Sequence, residues 1–152
     1  MKKYFIVLLL IVFLFSCDDN PTEQTKTTTI DDNYKVNQFY FKDIVDNDND
    51  DYISEALFCL YIINDYETTK NVYIEVLYKK KYEEEYSSVL ATYFDVALVP
   101  DQENQFEKYI VWDDYGSGSS EYDFQAKIYK ANSNELLQKD TTSEKFEESS
   151  TD

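Results

Sequence analysis

A period-two alternation of apolar side chains constrains the fold of this chain more than any other feature. In residues 71–79, one set of alternate positions is entirely apolar or aromatic. Its members are Val72, Ile74, Val76 and Tyr78. Residues 121–130 repeat the pattern, with the set Tyr122, Phe124, Ala126 and Ile128. Because successive side chains of a β-strand point to opposite faces, both segments are predicted to be strands that bury one face.

Other segments extend this pattern into an all-β fold. Residues 52–63 are apolar almost throughout and suit a strand buried on both faces. In residues 90–99, alternation predicts that Tyr93 points outward. The side chains predicted to point inward are Leu90, Phe94, Val96 and Leu98. We therefore predict an antiparallel β-sandwich, Ig-like or jelly-roll-like, with about six to eight strands. The alternative is an α+β domain with a helix over Glu83 to Leu90.

Composition divides the chain into four parts. Residues 1–16 are predicted to be a lipoprotein signal peptide, for the reasons that follow. Residues 17–35 are mostly polar and Thr-rich, which is typical of a flexible tether. The β-sandwich is predicted to span residues 36–140. Residues 141–152 are again polar, apart from Phe146, and predict a disordered tail.

The N-terminal segment has the features of an export signal. Lys2 and Lys3 precede an apolar run that ends at Phe15. This run is shorter than the roughly 20 residues that a membrane-spanning helix needs, and it fits a secretory signal. An ordinary signal peptide, cut at a nearby site, is the alternative to lipidation. A single transmembrane helix is the least favoured interpretation because of the length.

The end of that run, Leu14-Phe15-Ser16-Cys17, resembles the lipobox of bacterial lipoproteins. In that family the signal is removed before the cysteine, which then carries acyl chains such as palmitate. The resemblance implies that Cys17 is lipidated and anchors the protein in a membrane of the cell envelope. The pair Asp18 and Asp19 resembles the surface-export signal of Bacteroidetes lipoproteins. That resemblance implies the outer membrane and exposure at the cell surface.

The charged residues exclude several function classes. The chain has no His and no Arg, and its formal net charge is −17. Loss of the signal peptide removes two lysines and no acid, which takes the side-chain charge to −19. Without His there is neither a Ser-His-Asp triad nor an imidazole metal ligand. Because nucleic-acid binding needs a basic surface, nucleic acid is excluded as a partner.

An acidic segment between two predicted strands is a candidate calcium site. Asp46, Asp48 and Asp50 alternate in a D-x-D-x-D pattern, and Ca²⁺ prefers such oxygen ligands. Compared with an EF-hand loop, Asp51 stands at the glycine position, and Leu57 stands where a bidentate Glu is needed. A carboxylate from elsewhere would have to complete the shell. The alternative is a solvated acidic turn without a metal.

The order of these motifs resembles the choice-of-anchor H type of domain over about residues 38–140. The resemblance lies in the acidic opening Asp46–Ser54, the strand Asn71–Tyr78, the segment Thr92–Val96 and the Tyr122-Asp123-Phe124 element. Such domains are secreted or anchored bacterial β-rich domains. The family has Gly in the D-x-D-x-D-G-Y opening where this chain has Asp51. The resemblance implies architecture and location, and it implies no activity.

The strand faces opposite the predicted core are rich in tyrosine. The outward set includes Tyr73, Tyr93, Tyr109 and Tyr129. Tyrosine combines an apolar ring with a polar tip, which suits contacts with an envelope protein or a glycan. The alternative is an ordinary half-exposed sheet in a tyrosine-rich chain. Cys59 is predicted to be a packing residue, because no His is present to activate its thiol.

Together these features predict a lipid-anchored, non-enzymatic envelope protein that acts as an accessory or binding module. One alternative is a glycoside hydrolase that uses two carboxylates, which would need two convergent acids in a cleft. Another is a structural subunit of an envelope complex.

Overall fold

The computed structural model describes residues 30–116 and 118–147, and these residues form two antiparallel β-sheets. This confirms the predicted antiparallel β-sandwich. The seven strands of the described part are β1 (Tyr34–Val45), β2 (Glu55–Asn64), β3 (Lys70–Lys80), β4 (Ser88–Leu98), β5 (Glu103–Val111), β6 (Ser120–Lys130) and β7 (Leu136–Phe146).

The strand order is β1-β2-β5 in one sheet and β4-β3-β6-β7 in the other. Strands one, two and five correspond to A, B and E of an immunoglobulin-type sandwich. Strands three, six and seven correspond to C, F and G, and β4 extends that second sheet. The topology therefore matches the Ig-like form of the prediction.

The alternating segments form the two central strands of the four-stranded sheet. In β3 and β6, every apolar position predicted to face inward is buried. β2 lies at the centre of the other sheet, and its side chains on both faces are largely buried. A strand flanked by neighbours and covered on both faces tolerates few polar side chains, which explains its near-continuous apolar sequence.

The centre of the core is aromatic. Trp112, fully buried just after β5, stacks on Phe146 of β7 with ring centroids 4.5 Å apart. Phe41 of β1 contacts both Phe124 and Phe146 from the opposite sheet. The backbone of Gly116 passes so close to the indole that an added Cβ would lie 2.7 Å from Trp112 Nε1. A glycine is therefore required there by close approach.

The predicted faces of β4 are wrong in its middle. Tyr93 packs inward against Phe106, with ring centroids 5.2 Å apart, whereas Phe94 is 77% exposed. The cause is a β-bulge in which Phe94 and Asp95 together lie opposite the single residue Tyr73 of β3. Asp95 has a positive φ of 47°, and this extra residue shifts the alternation by one position.

The predicted boundaries of the domain are also corrected. β7 continues to Phe146, so residues 141–146 belong to the sandwich and not to a disordered tail. The sandwich begins at Tyr34, two residues before the predicted start at 36. The signal peptide, most of the predicted tether and residues 148–152 lie outside the described residues.

The helix considered over residues 83–90 is not formed, because β4 begins at Ser88. Within residues 30–116 and 118–147, the helical content is a 3-10 turn at Trp112–Asp114. No helix in this part of the chain has the length and apolar character to cross a membrane.

Replacing Phe146 tests the revised boundary. We expect Phe146→Ala to lower the free energy of unfolding by about 3–5 kcal/mol, since it leaves a cavity against Trp112. Thr141→Ala, at an exposed position of the same strand, is the control and is expected to change stability by at most about 0.5 kcal/mol. Urea denaturation measures both. Equal stabilities of the two variants would show that residues 141–146 do not belong to the folded core.

Candidate functional site

The acidic residues between β1 and β2 converge with a fourth carboxylate from the end of β7. One carboxylate oxygen each of Asp46, Asp48, Asp50 and Glu147 lies within 4.8 Å of the others. The structure thus brings together all three residues of the predicted metal site and adds Glu147. We call these four residues the acidic cluster.

The conformation of the acidic loop depends on Asp46. Its carboxylate accepts hydrogen bonds from the backbone N–H groups of Asn49 (2.7 Å) and Asp51 (3.1 Å). Burial opposes ionisation of Asp46, but these N–H groups outweigh it and lower the pKa of the carboxyl group. Asp51 has φ 73°, the left-handed conformation that glycine adopts most easily. The chain therefore keeps the backbone conformation of a glycine with an aspartate in its place.

Backbone hydrogen bonds fix Glu147 beside this loop. Ile53 N–H donates to Lys145 O (2.9 Å), and Glu147 N–H donates to Ile53 O (3.0 Å). The Glu147 side chain is only 6% exposed, and Ser119 Oγ donates to its Oε2 at 3.1 Å. Burial raises the pKa of the Glu147 carboxyl group above its ordinary value, and the negative charges of Asp48 and Asp50 raise it further.

The chemistry of the acidic cluster suits a hard divalent cation. Ca²⁺ takes six to eight oxygen ligands at about 2.3–2.6 Å, from carboxylates, carbonyls and water. Four converging carboxylates, one of them buried, repel one another, and a divalent cation between them would remove that repulsion. Local spacing could not predict Glu147, because it lies about a hundred residues from the loop. The sequence indicated only that a further ligand was needed, because the twelfth position of the EF-hand comparison is Leu57.

The predicted tyrosine face is divided by the structure. Tyr73 and Tyr129 lie side by side on the outer surface of the four-stranded sheet, with ring centroids 5.5 Å apart. Tyr109 is on β5 of the opposite sheet, where its hydroxyl donates to Glu55. Tyr93 is turned inward by the β4 bulge. The predicted outward orientation is therefore wrong for Tyr93, whereas Tyr109 is exposed as predicted but lies on the other sheet.

Phe94 takes the place of Tyr93 on this surface. Its ring lies 5.2 Å from that of Tyr73, so Phe94, Tyr73 and Tyr129 form a continuous row, which we call the aromatic strip. The strip borders a cavity of about 430 Å³. The cavity is lined by Tyr73, Phe94, Asp95 and the β6–β7 turn residues Ala131, Asn132, Ser133 and Asn134.

A smaller cavity of about 230 Å³ lies next to the acidic loop. It is lined by three acids, Asp51, Glu121 and Glu144, together with Ile53, Ser143 and Lys145. Burial raises the pKa of the Glu144 carboxyl group. Glu121 forms an ion pair with Lys81. The cavity thus brings together three carboxylates that do not belong to the acidic cluster.

Cys59 is fully buried in β2, and burial raises the pKa of its thiol. Both properties favour the packing role over reactivity, because the thiolate is the reactive form. Cys17 lies outside the described residues.

Comparisons with known proteins identify no family. No protein-family model matches the chain, and no curated protein matches it either. A putative beta-galactosidase from Bacteroides fragilis is similar in structure, with a TM-score of 0.45 and 9% identity, over 69% of this chain and 15% of that one. A beta-glucosidase from Kluyveromyces marxianus is similar with a TM-score of 0.41 and 12% identity, over 80% of this chain and 15% of that one. The chain thus spans about 15% of the length of each.

Proposed function

We propose that this protein is a lipid-anchored, non-enzymatic binding module of the cell envelope, and that the aromatic strip is its contact surface. The observation that carries the proposal is the exposure of Phe94, at 77%, beside Tyr73 and Tyr129. An exposed large apolar ring is unfavourable in water unless a partner covers it. Aromatic side chains also contribute a large share of binding energy where partners meet.

The anchoring part of the proposal comes from the sequence. The lipobox resemblance at Cys17, the polar residues 18–33 and the start of β1 at Tyr34 follow one another. The polar segment would let the domain stand away from an outer membrane that holds its acyl chains. The β6–β7 turn at Asn132 lies at the same end of the sandwich as the start of β1 at Tyr34. Asp31, just before β1, donates its N–H to Leu137 O at the start of β7.

We also propose that the acidic cluster binds Ca²⁺. The supporting observation, independent of the D-x-D-x-D spacing, is that the buried Glu147, which directly follows β7, joins the three aspartates. Bound calcium would tie the β1–β2 loop to the end of β7. In the described residues, the loop is also joined to that end by the backbone bonds at Ile53 and by the Lys145 ammonium group, which lies over the Tyr52 ring. The role of the ion would be structural.

A second candidate function, a carboxylate-based glycoside hydrolase, is favoured by the cavity that Asp51, Glu121 and Glu144 line. Glu144, with its raised pKa, would be the proton donor. Against this use, Glu121 is engaged by Lys81. An assay for release of reducing sugar by the full-length protein separates a hydrolase from a binding module.

Replacing Cys17 tests the anchor. We expect the wild-type protein to partition into the detergent phase of Triton X-114 and to incorporate an alkyne analogue of palmitate. Cys17→Ser should move to the aqueous phase and lose the label, because the acyl chains supply the membrane affinity. Cys59→Ala is the control for the second cysteine and should keep both properties. Equal labelling of the wild type and Cys17→Ser would disprove lipidation at Cys17.

Calcium titration tests the acidic cluster. At a hundredfold excess over Kd, bound Ca²⁺ should stabilise the fold by about 2.7 kcal/mol and raise Tm by roughly 5–10 °C. Glu147→Gln should lose most of this gain, and in chelator it should be at least as stable as the wild type, since one repelling charge is gone. Glu144→Gln, a neighbouring glutamate outside the cluster, is the matched control. Absence of both binding heat and thermal shift at millimolar Ca²⁺ would contradict the proposal.

Site-specific crosslinking tests the contact surface. A photo-crosslinking phenylalanine analogue at position 94 should capture a partner in native membranes. The same analogue at position 82, where Tyr82 is 75% exposed on the β3–β4 loop, should capture little. Capture of a single protein, in a one-to-one ratio with this protein, would indicate that this protein is a subunit of an envelope complex. Equal capture at both positions, or capture of neither a protein nor a glycan at 94, would overturn the proposed contact surface.

A further inference from the structure

We propose that the ligand of the aromatic strip is a neutral carbohydrate, held in the cavity between the strip and the β6–β7 turn. This inference rests on the proposed binding function and names the class of ligand. The cavity, about 430 Å³ in volume, falls within the range of about 300–1,000 Å³ that is usual for small-molecule sites. Its lining combines aromatic rings with polar side chains. The rings suit the apolar C–H face of a sugar, and the polar side chains suit its hydroxyl groups.

The exposed ring of Phe94 at the end of the aromatic strip provides an apolar surface. The planes of Tyr73 and Phe94 differ by 31°, and those of Tyr73 and Tyr129 differ by 30°. With centroids only 5.2 and 5.5 Å apart, these rings stack partly face to face, and Tyr73 lies between Phe94 and Tyr129. Phe94 is at the end of this stack and is 77% exposed. The apolar C–H face of a pyranose can lie against the exposed ring of Phe94, where it contacts the electron-rich face.

The polar residues that line the cavity provide hydrogen-bonding groups. Asn71 Nδ2 donates to Asp95 Oδ1 at 3.0 Å, which orients that carboxylate and leaves its other oxygen available to a hydroxyl group. The left-handed φ of 59° at Asn132 and the bond from Ser133 N–H to Lys130 O (3.1 Å) shape the turn. In the part of the chain described, no protein hydrogen bond is made by the side-chain amides of Asn132 and Asn134. Amides offer both donors and acceptors, as sugar hydroxyl groups require.

Charge selects a neutral ligand. Among the described residues that line the cavity, Asp95 is the one that carries a charge. The whole chain is strongly acidic, with a formal net charge of −17. An anionic polysaccharide or a phosphate would be repelled by both, whereas a neutral sugar would not. The concave shape and small size also favour a carbohydrate over a folded protein, which would bury about 800 Å² on this side of a standard interface.

Affinity electrophoresis of the full-length lipidated protein in detergent tests the inference. The probes are three neutral polysaccharides, laminarin, galactan and mannan, with anionic alginate for comparison. We expect at least one neutral polysaccharide to retard the protein and alginate to have no effect. Phe94→Ala should weaken the retardation at least tenfold, and Asn132→Ala should weaken it severalfold. Tyr82→Ala is the matched control with an exposed aromatic ring remote from the cavity, and it should behave as the wild type.

The outcomes separate the carbohydrate inference from the proposed binding function. No retardation by any probe, together with capture of a protein at position 94, would overturn the carbohydrate and leave the binding module in place. No retardation and no capture would overturn both. Retardation that survives Phe94→Ala would show that the sugar binds elsewhere and would overturn the assignment to this cavity. Retardation lost in Phe94→Ala and kept in Tyr82→Ala would support it.

Discussion

The stacking of Trp112 on Phe146 is the contact on which the rest of this structure depends. Trp112 follows β5 in one sheet and Phe146 ends β7 in the other, so the pair joins the two sheets. Without a disulfide among the described residues, such burial of large apolar rings is the main source of stability. The same contact fixes the end of β7, and thereby places Glu147 beside the acidic loop. The geometry of the candidate metal site therefore depends on the packing of the core.

The two candidate sites lie at opposite ends of the sandwich. β1 begins at Tyr34 near the β6–β7 turn and ends at Val45 before the acidic loop. Its 12 residues span about 40 Å when extended at roughly 3.3 Å per residue. A ligand at the aromatic strip and an ion at the acidic cluster would thus act independently. In the proposed arrangement, the ion stabilises the fold and the strip makes the contact.

Prediction from the sequence succeeded where a repeating pattern encodes burial. Alternation in residues 71–79 and 121–130 correctly predicted the buried sides of β3 and β6, because a sheet faces the core on one side only. It failed in β4, where one bulged residue, Asp95, exchanges the faces of Tyr93 and Phe94. It also failed at the C-terminal end. There a mostly polar edge strand has one buried aromatic residue, Phe146, which is too little to show a period.

The sequence by itself determined the fold class, the acidic loop and the exclusion of chemistry that needs His, because composition and local period are properties of the chain alone. Only the tertiary structure decided which distant side chains meet. Glu147 joins Asp46 because β7 ends beside the β1–β2 loop, and Phe94 joins Tyr129 because β3 lies between β4 and β6. These long-range contacts follow from the order of the strands and from one added residue in β4. Neither the strand order nor a single bulge leaves a periodic signal in the sequence.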